Sequence, residues 1–159
     1  MGIAKMKKVL KNSRRLFIVD IENATGESHL TYGSVRREHD KLKQIYGINS
    51  HDQVILAVSH SGNYLPATTW KTARILFKPG ESGADLRLKK VIRTENIAER
   101  FSTVVLVSGD GIFAEEVALL RSQGVRVVVD SALRSLSKKL TKVASVISLM
   151  RSSNDLDAA

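Results

Sequence analysis

Apolar residues along this chain fall into short unbroken runs separated by stretches of helical spacing. Leu16-Phe17-Ile18-Val19 closes on Asp20, Val54-Ile55-Leu56-Ala57-Val58 on Ser59-His60-Ser61-Gly62, and Arg74-Ile75-Leu76-Phe77 is followed by Pro79-Gly80. Residues 103–108 close on Gly109-Asp110-Gly111, Val125–Val129 follows Gly124, and residues 144–149 make a last short run. Runs with no polar face predict strands buried on both sides, as in a parallel sheet. Between them, residues 32–46 place Val35, His39, Leu42, Ile45 and Tyr46 on one helical face, and Gly47 supplies the stop. A short helix is expected around 64–72, with Pro66 in its first turn. A longer one runs from Ser82 to about Glu99, and two more span about 112–122 and 134–142. Residues 21–26 read as a polar turn.

Strands alternating with helices imply right-handed βαβ crossovers. The fold class is therefore α/β: a Rossmann-like parallel sheet with helices on both faces. A strand order of 3-2-1-4-5 places the topological switch between the first and fourth strands, where open α/β sheets bind ligands at their carboxyl edge. Asp20 and Asp110 flank that point. Asp85 lies in the first turn of the helix after the third strand and starts from the same edge.

Composition narrows the partners. With 159 residues, 43% hydrophobic and 26% charged, the chain fits one globular domain. No apolar run approaches the roughly 18 residues of a membrane span. Lysines near the start lack a following apolar segment, so no secretory signal is expected and the protein is placed in the cytoplasm. The absence of cysteine excludes disulfides and thiolate zinc sites. A net charge of +9 favours a polyanion, of which nucleic acid is the commonest. Lys5, Lys7, Lys8, Lys11, Arg14 and Arg15 precede the first strand with no acid among residues 1–15. Residues 1–13 thus form a basic, flexible arm, 14–150 the domain, and 151–159 a tail expected to fray.

Three carboxylates meeting at one edge repel unless a proton or a cation joins them. Oxygen ligands without cysteine favour Mg²⁺ or Mn²⁺, and phosphodiester cleavage joins such a site to a basic surface. Asn23, one short turn after Asp20, is a candidate for holding a phosphate or a metal-bound water, and Ser108 for adding a donor. Each acid also has a purely structural use: an Asx turn for Asp20, a helix-dipole contact for Asp85, a turn cap for Asp110.

The segments Asp20-x-x-Asn23, Gly83-Ala84-Asp85 and Ser108-Gly109-Asp110-Gly111-Ile112-Phe113 resemble the motifs of the NYN domain family of PIN-like nucleases. Residues 124–129 and Ser135-Leu136-Ser137 also fit, and the resemblance covers about 14–150. It implies a metal-dependent ribonuclease in which Asp20, Asp85 and Asp110 are the catalytic acids and Mg²⁺ or Mn²⁺ ligands, Asn23 is the family's amide, and RNA is the partner. Two positions depart from the pattern: Ile112 and Lys90 stand where many relatives carry acids, and Lys90 is there a candidate for neutralising the cluster or binding phosphate. A catalytically weakened RNA-binding or regulatory module therefore stays open. So does a haloacid-dehalogenase-like phosphatase, which Asp20-Ile21-Glu22 and Gly109-Asp110-Gly111 resemble, though it leaves Gly83-Ala84-Asp85 unexplained. Association into a homodimer is open as well.

Overall fold

The computed structural model describes residues 2–6 and 14–151. Most of the basic arm expected over 1–13, and the expected tail from 152 on, lie outside the described residues. Residues 3–6 form one exposed helical turn.

Six parallel strands make one sheet: β1 Arg15–Asp20, β2 Gln53–Val58, β3 Arg74–Phe77, β4 Thr103–Val107, β5 Arg126–Asp130 and β6 Val146–Ser148. Their order is β3-β2-β1-β4-β5-β6, and every neighbouring pair is parallel. Seven helices are described after β1: α1 Ile21–Thr25, α2 Tyr32–Tyr46, α3 Tyr64–Ala67, α4 Gly83–Thr94, α5 Ile97–Arg100, α6 Ala114–Ser122 and α7 Lys138–Val143. None is long and apolar enough to cross a membrane.

Strand alternation sorts the core into two layers. Leu16, Ile18, Val104, Leu106, Val127 and Val129 pack with Leu88, Val91 and Val117 of α4 and α6. Phe17, Val19, Val105, Val107 and Val128 pack on the other face with Val35 and Leu42 of α2 and with Trp70. Both faces are covered, which is why the strands read as continuous apolar runs. The same alternation aims the polar residues that end the strands. Asp20 is in phase with Ile18, toward α4; Asp130 is in phase with Val128, toward α2.

Local chemistry sets the helix ends. Thr31 and Ser34 form a reciprocal capping box at the start of α2, and Gly47 ends it in the left-handed region at φ 60°. The structure differs from expectation in three places. Residues 21–25 form a helix, because Asp20 caps it by accepting from Asn23 N. The helix expected to reach Glu99 stops at Thr94: Asn96 takes φ 52° and breaks it into α4 and α5. The helices expected around 64–72 and 134–142 each begin as a 3₁₀ turn, Ser61–Asn63 and Leu133–Ser135, before α3 and α7.

Candidate functional site

The carboxyl edge of β1 meets the first turn of α4. Asp20 ends its strand 5% exposed, with its carboxylate accepting from Asn23 N at 3.4 Å. Asp85 is half-buried in the first turn of α4. That turn lies so close to the loop after β3 that a Cβ on Gly83 would sit 1.9 Å from the Lys78 carbonyl oxygen. Only glycine permits this approach, which sets Asp85 against Asp20.

The two carboxyl groups lie close enough to influence each other's protonation, and bringing two such groups together favours a proton or a cation between them. Burial, then the charge and hydrogen bond of Asp85, push Asp20 up to about 8, with Glu22 adding to the rise and the Asn23 amide opposing it. Asp85 is raised as well, first by burial and then by the charges of Asp110 and Glu22. The Asp20 hydrogen bond and the charge of Lys89 oppose that rise.

Asp110 is exposed at the end of the loop after β4. Its Oδ1 accepts from Ile112 N at 3.0 Å, and Ser108 Oγ accepts from Asp110 N at 3.2 Å. Asn23 reaches across from α1, its Oδ1 accepting from Gly109 N at 3.4 Å. Ser108 is buried. Gly109 is pressed against the next loop, where an added Cβ would lie 2.1 Å from the Ser135 carbonyl oxygen.

Among the described residues, no group of three or more His, Asp or Glu side chains stands close enough together to hold a metal ion. Asp20, Asp85 and Asp110 are thus not brought together as such a group. The Asp20–Asp85 contact is made, while Asp110 acts on Asp85 only through its charge, its carboxylate turned into its own loop as the cap of a 3₁₀ turn. What remains is a two-acid pair, Asp20 buried and Asp85 half-buried.

Two residues near the pair had no assigned role in the sequence reading of this site. Glu22 accepts from Ser59 N at 2.5 Å and Ser59 Oγ at 2.8 Å, and His60 Nε2 lies 3.8 Å away. Its proximity becomes legible only once residues 21–25 are known to be helical. The cation acting on Asp85 is Lys89, not the exposed Lys90. Position i+4 shares a helix face with Asp85 and i+5 does not. Lys89 Nζ is also 3.1 Å from the fully buried Glu116.

A model of the NYN domain matches residues 15–150, nearly all of the chain. The chain belongs to the NYN domain family. No curated protein matches the sequence. Among solved structures, a protein of unknown function from Vibrio parahaemolyticus superimposes with a TM-score of 0.57 at 17% identity, over 86% of this chain and 92% of that one. This likeness concerns the fold alone. In this NYN domain, Ile112 packs against the core layer under α4 and α6, an apolar role that an acid at that position would not fill. A fold of this family is in principle able to bind nucleic acid.

Three hollows share Asn23 and Ser135 along the carboxyl edge of the NYN domain. One holds Glu22, Ser59 and His60, the second Asp110 and Lys139, and the third Arg37, Lys41 and Arg134. Beneath the third lies a buried ionic network that the sequence did not announce. Arg151 donates to Asp130 Oδ1 and to Glu38 Oε1 at 2.7 Å, and Tyr46 OH donates to Asp130 Oδ2 at 2.6 Å. Val-Val-Val-Asp at 127–130 repeats the apolar-run-then-acid signal of β1, but strand phase sends Asp130 to the opposite face. Arg151, expected in the tail, is 3% exposed.

Proposed function

We propose that this NYN domain is a metal-dependent ribonuclease that cleaves RNA phosphodiester bonds beside the Asp20–Asp85 pair. The observation that carries the reading is that pair itself. Two neighbouring acids, one of them buried and pushed up to about 8 by burial and by the other, form a like-charge site that only a proton or a cation relieves. Mg²⁺ is typically held by one or two carboxylates, with waters and substrate phosphates completing its shell, so the donor set fits without a third direct ligand. When bound by Asp20 and Asp85, the cation would lower the pKa of a coordinated water and offset charge developing on the phosphate.

The chain's own groups divide the remaining work. Asp110 and Glu22 add negative charge around the pair. Asn23 spends its amide oxygen on Gly109 N, which leaves its NH₂ free to donate to a phosphate oxygen. Ser108 fixes Asp110 through its backbone amide and retains a hydroxyl proton for the substrate side. Lys89 offsets the acids from below, and the exposed Lys90 supplies charge to a strand lying along the edge. A net charge of +9 suits an RNA partner.

A second reading, an RNA-binding module without cleavage, is favoured by Ile112 and by the capped carboxylate of Asp110. The phosphatase reading loses ground: both Glu22 oxygens are occupied by Ser59, and Gly83-Ala84-Asp85 now has a place. End-labelled single-stranded and structured RNAs, incubated with and without Mn²⁺, separate these readings. We expect metal-dependent cleavage by the wild type, lost in Asp20→Asn and Asp85→Asn and weakened in Asp110→Asn. Tight binding with no cleavage by any form establishes the second reading instead.

A further inference from the structure

The third hollow, about 490 Å³, lies within the size range of a small-ligand pocket. Its walls come from two elements that flank the proposed cleavage edge. Arg37 and Lys41 belong to α2, while Arg134 and Ser135 belong to the 3₁₀ turn after β5. Arg37 and Arg134 are exposed, and neither makes a hydrogen bond or ion pair with a described residue. The acids in the floor are already engaged inward. Both Glu38 oxygens accept from Arg151, and Asp130 divides its oxygens between Arg151 and Tyr46. Cationic donors thus face the cavity beside one further acid, Glu27, while the floor acids have spent their acceptors below it.

Asn23 joins this cavity to the acid pair. It lines the hollow, and its backbone amide donates to Asp20 at 3.4 Å. A group seated in this hollow is therefore linked to the acid pair through Asn23. Unlike the two hollows beside it, this one has a floor of buried residues, so it suits the end of a strand better than a strand passing through. A terminal phosphate carries close to two negative charges at neutral pH, and guanidinium forks from two different elements suit its oxygens.

We infer that this cavity is a binding site for a phosphate monoester, the terminal phosphate of an RNA strand, which it seats beside the cleavage edge. The assignment rests on the ribonuclease reading for its biological use, but its test does not require cleavage. The 5′- and 3′-phosphorylated ends and a free mononucleotide share the chemistry, so each forms an arm of the experiment.

Wild-type protein in EDTA is titrated by fluorescence anisotropy with one short RNA in three forms: 5′-phosphorylated, 3′-phosphorylated, and hydroxyl at both ends. We expect one phosphorylated form to bind about tenfold tighter than the hydroxyl form, the scale of one charge-assisted contact. Arg37→Ala with Arg134→Ala should bring that ratio near unity, and because both affinities fall with the lost charge, the ratio is the quantity to read. Both side chains are exposed, and an unchanged melting temperature verifies that the variant is folded. Adenosine 5′-monophosphate should compete with the phosphorylated form if its 5′ end is the preferred one, and a 3′-monophosphate if the other is. Equal binding of all three RNAs, or a preference that survives the double substitution, overturns the assignment. Since no cation is present, either result leaves the question of cleavage at Asp20 and Asp85 separate.

Discussion

At the residue scale, a shifted acid gives the domain a pH-dependent stability of definite sign. The folded pKa of Asp20, about 8, lies above its ordinary value of 3.8. Its contribution is thus fully present below that ordinary value and is lost as pH rises through the folded one. We expect Asp20→Asn, which keeps a side chain able to cap α1, to stabilise the metal-free protein in mildly alkaline solution and to abolish cleavage. A gain of about 1 kcal/mol would raise Tm by roughly 2–4 °C, measurable by thermal denaturation at about pH 9. A Tm unchanged from wild type there would mean that Asp20 carries no such cost. Asp20 and Asp110 were legible as candidates because they end apolar runs, Asn23 because it follows Asp20 by one short turn, and Asp85 because it opens the helix after the third strand. Glu22 and Lys89 were not, since their approach to the pair depends on helix phase: Glu22 sat in what read as a turn, and Lys90 drew attention by its motif position while Lys89 shares the face of Asp85.

At the element scale, the acid pair depends on how closely α4 approaches the loop after β3. Gly83→Ala would drive a Cβ into the Lys78 carbonyl, so the first turn of α4 must move and carry Asp85 away. We expect a loss of about 2 kcal/mol or more in stability, the range of enforced backbone clashes, and a larger loss of cleavage than Tm alone explains. Gly62→Ala, with nothing within 4 Å of the added Cβ, is the control and should leave both unchanged. The central strands were readable because two-sided burial leaves their middle positions apolar. The break between α4 and α5 was not, because apolar spacing continues through Ile97 while one residue, Asn96, adopts a left-handed conformation that periodicity does not register.

At the scale of the whole molecule, Arg151 ties the end of the described chain to β5, α1 and α2 through Asp130, the Ala24 carbonyl and Glu38. Removing one member of a buried ionic set leaves the others unpaired, which typically costs about 3–5 kcal/mol. Arg151→Ala should therefore lower the midpoint of urea denaturation markedly. A truncation before Arg151 should do the same, whereas one after it should not. Nothing in the sequence marked this residue, because the residues that follow it are small and polar and only the tertiary fold supplies its two acids. The positive charge acts at this scale too: RNA affinity should fall steeply as salt is raised, since phosphate neutralisation releases counterions.

Binding of Mn²⁺ to the RNA-free protein, followed by isothermal titration at about pH 6 and about pH 9, bears most directly on the acid pair, because ligands must lose their protons to take a metal. We expect one tight cation per chain, bound more strongly at the higher pH with proton release at the lower, and lost in both Asp20→Asn and Asp85→Asn. Binding that is equal at the two pH values, or that survives either substitution, would contradict the assignment of Asp20 and Asp85 as the cation's ligands.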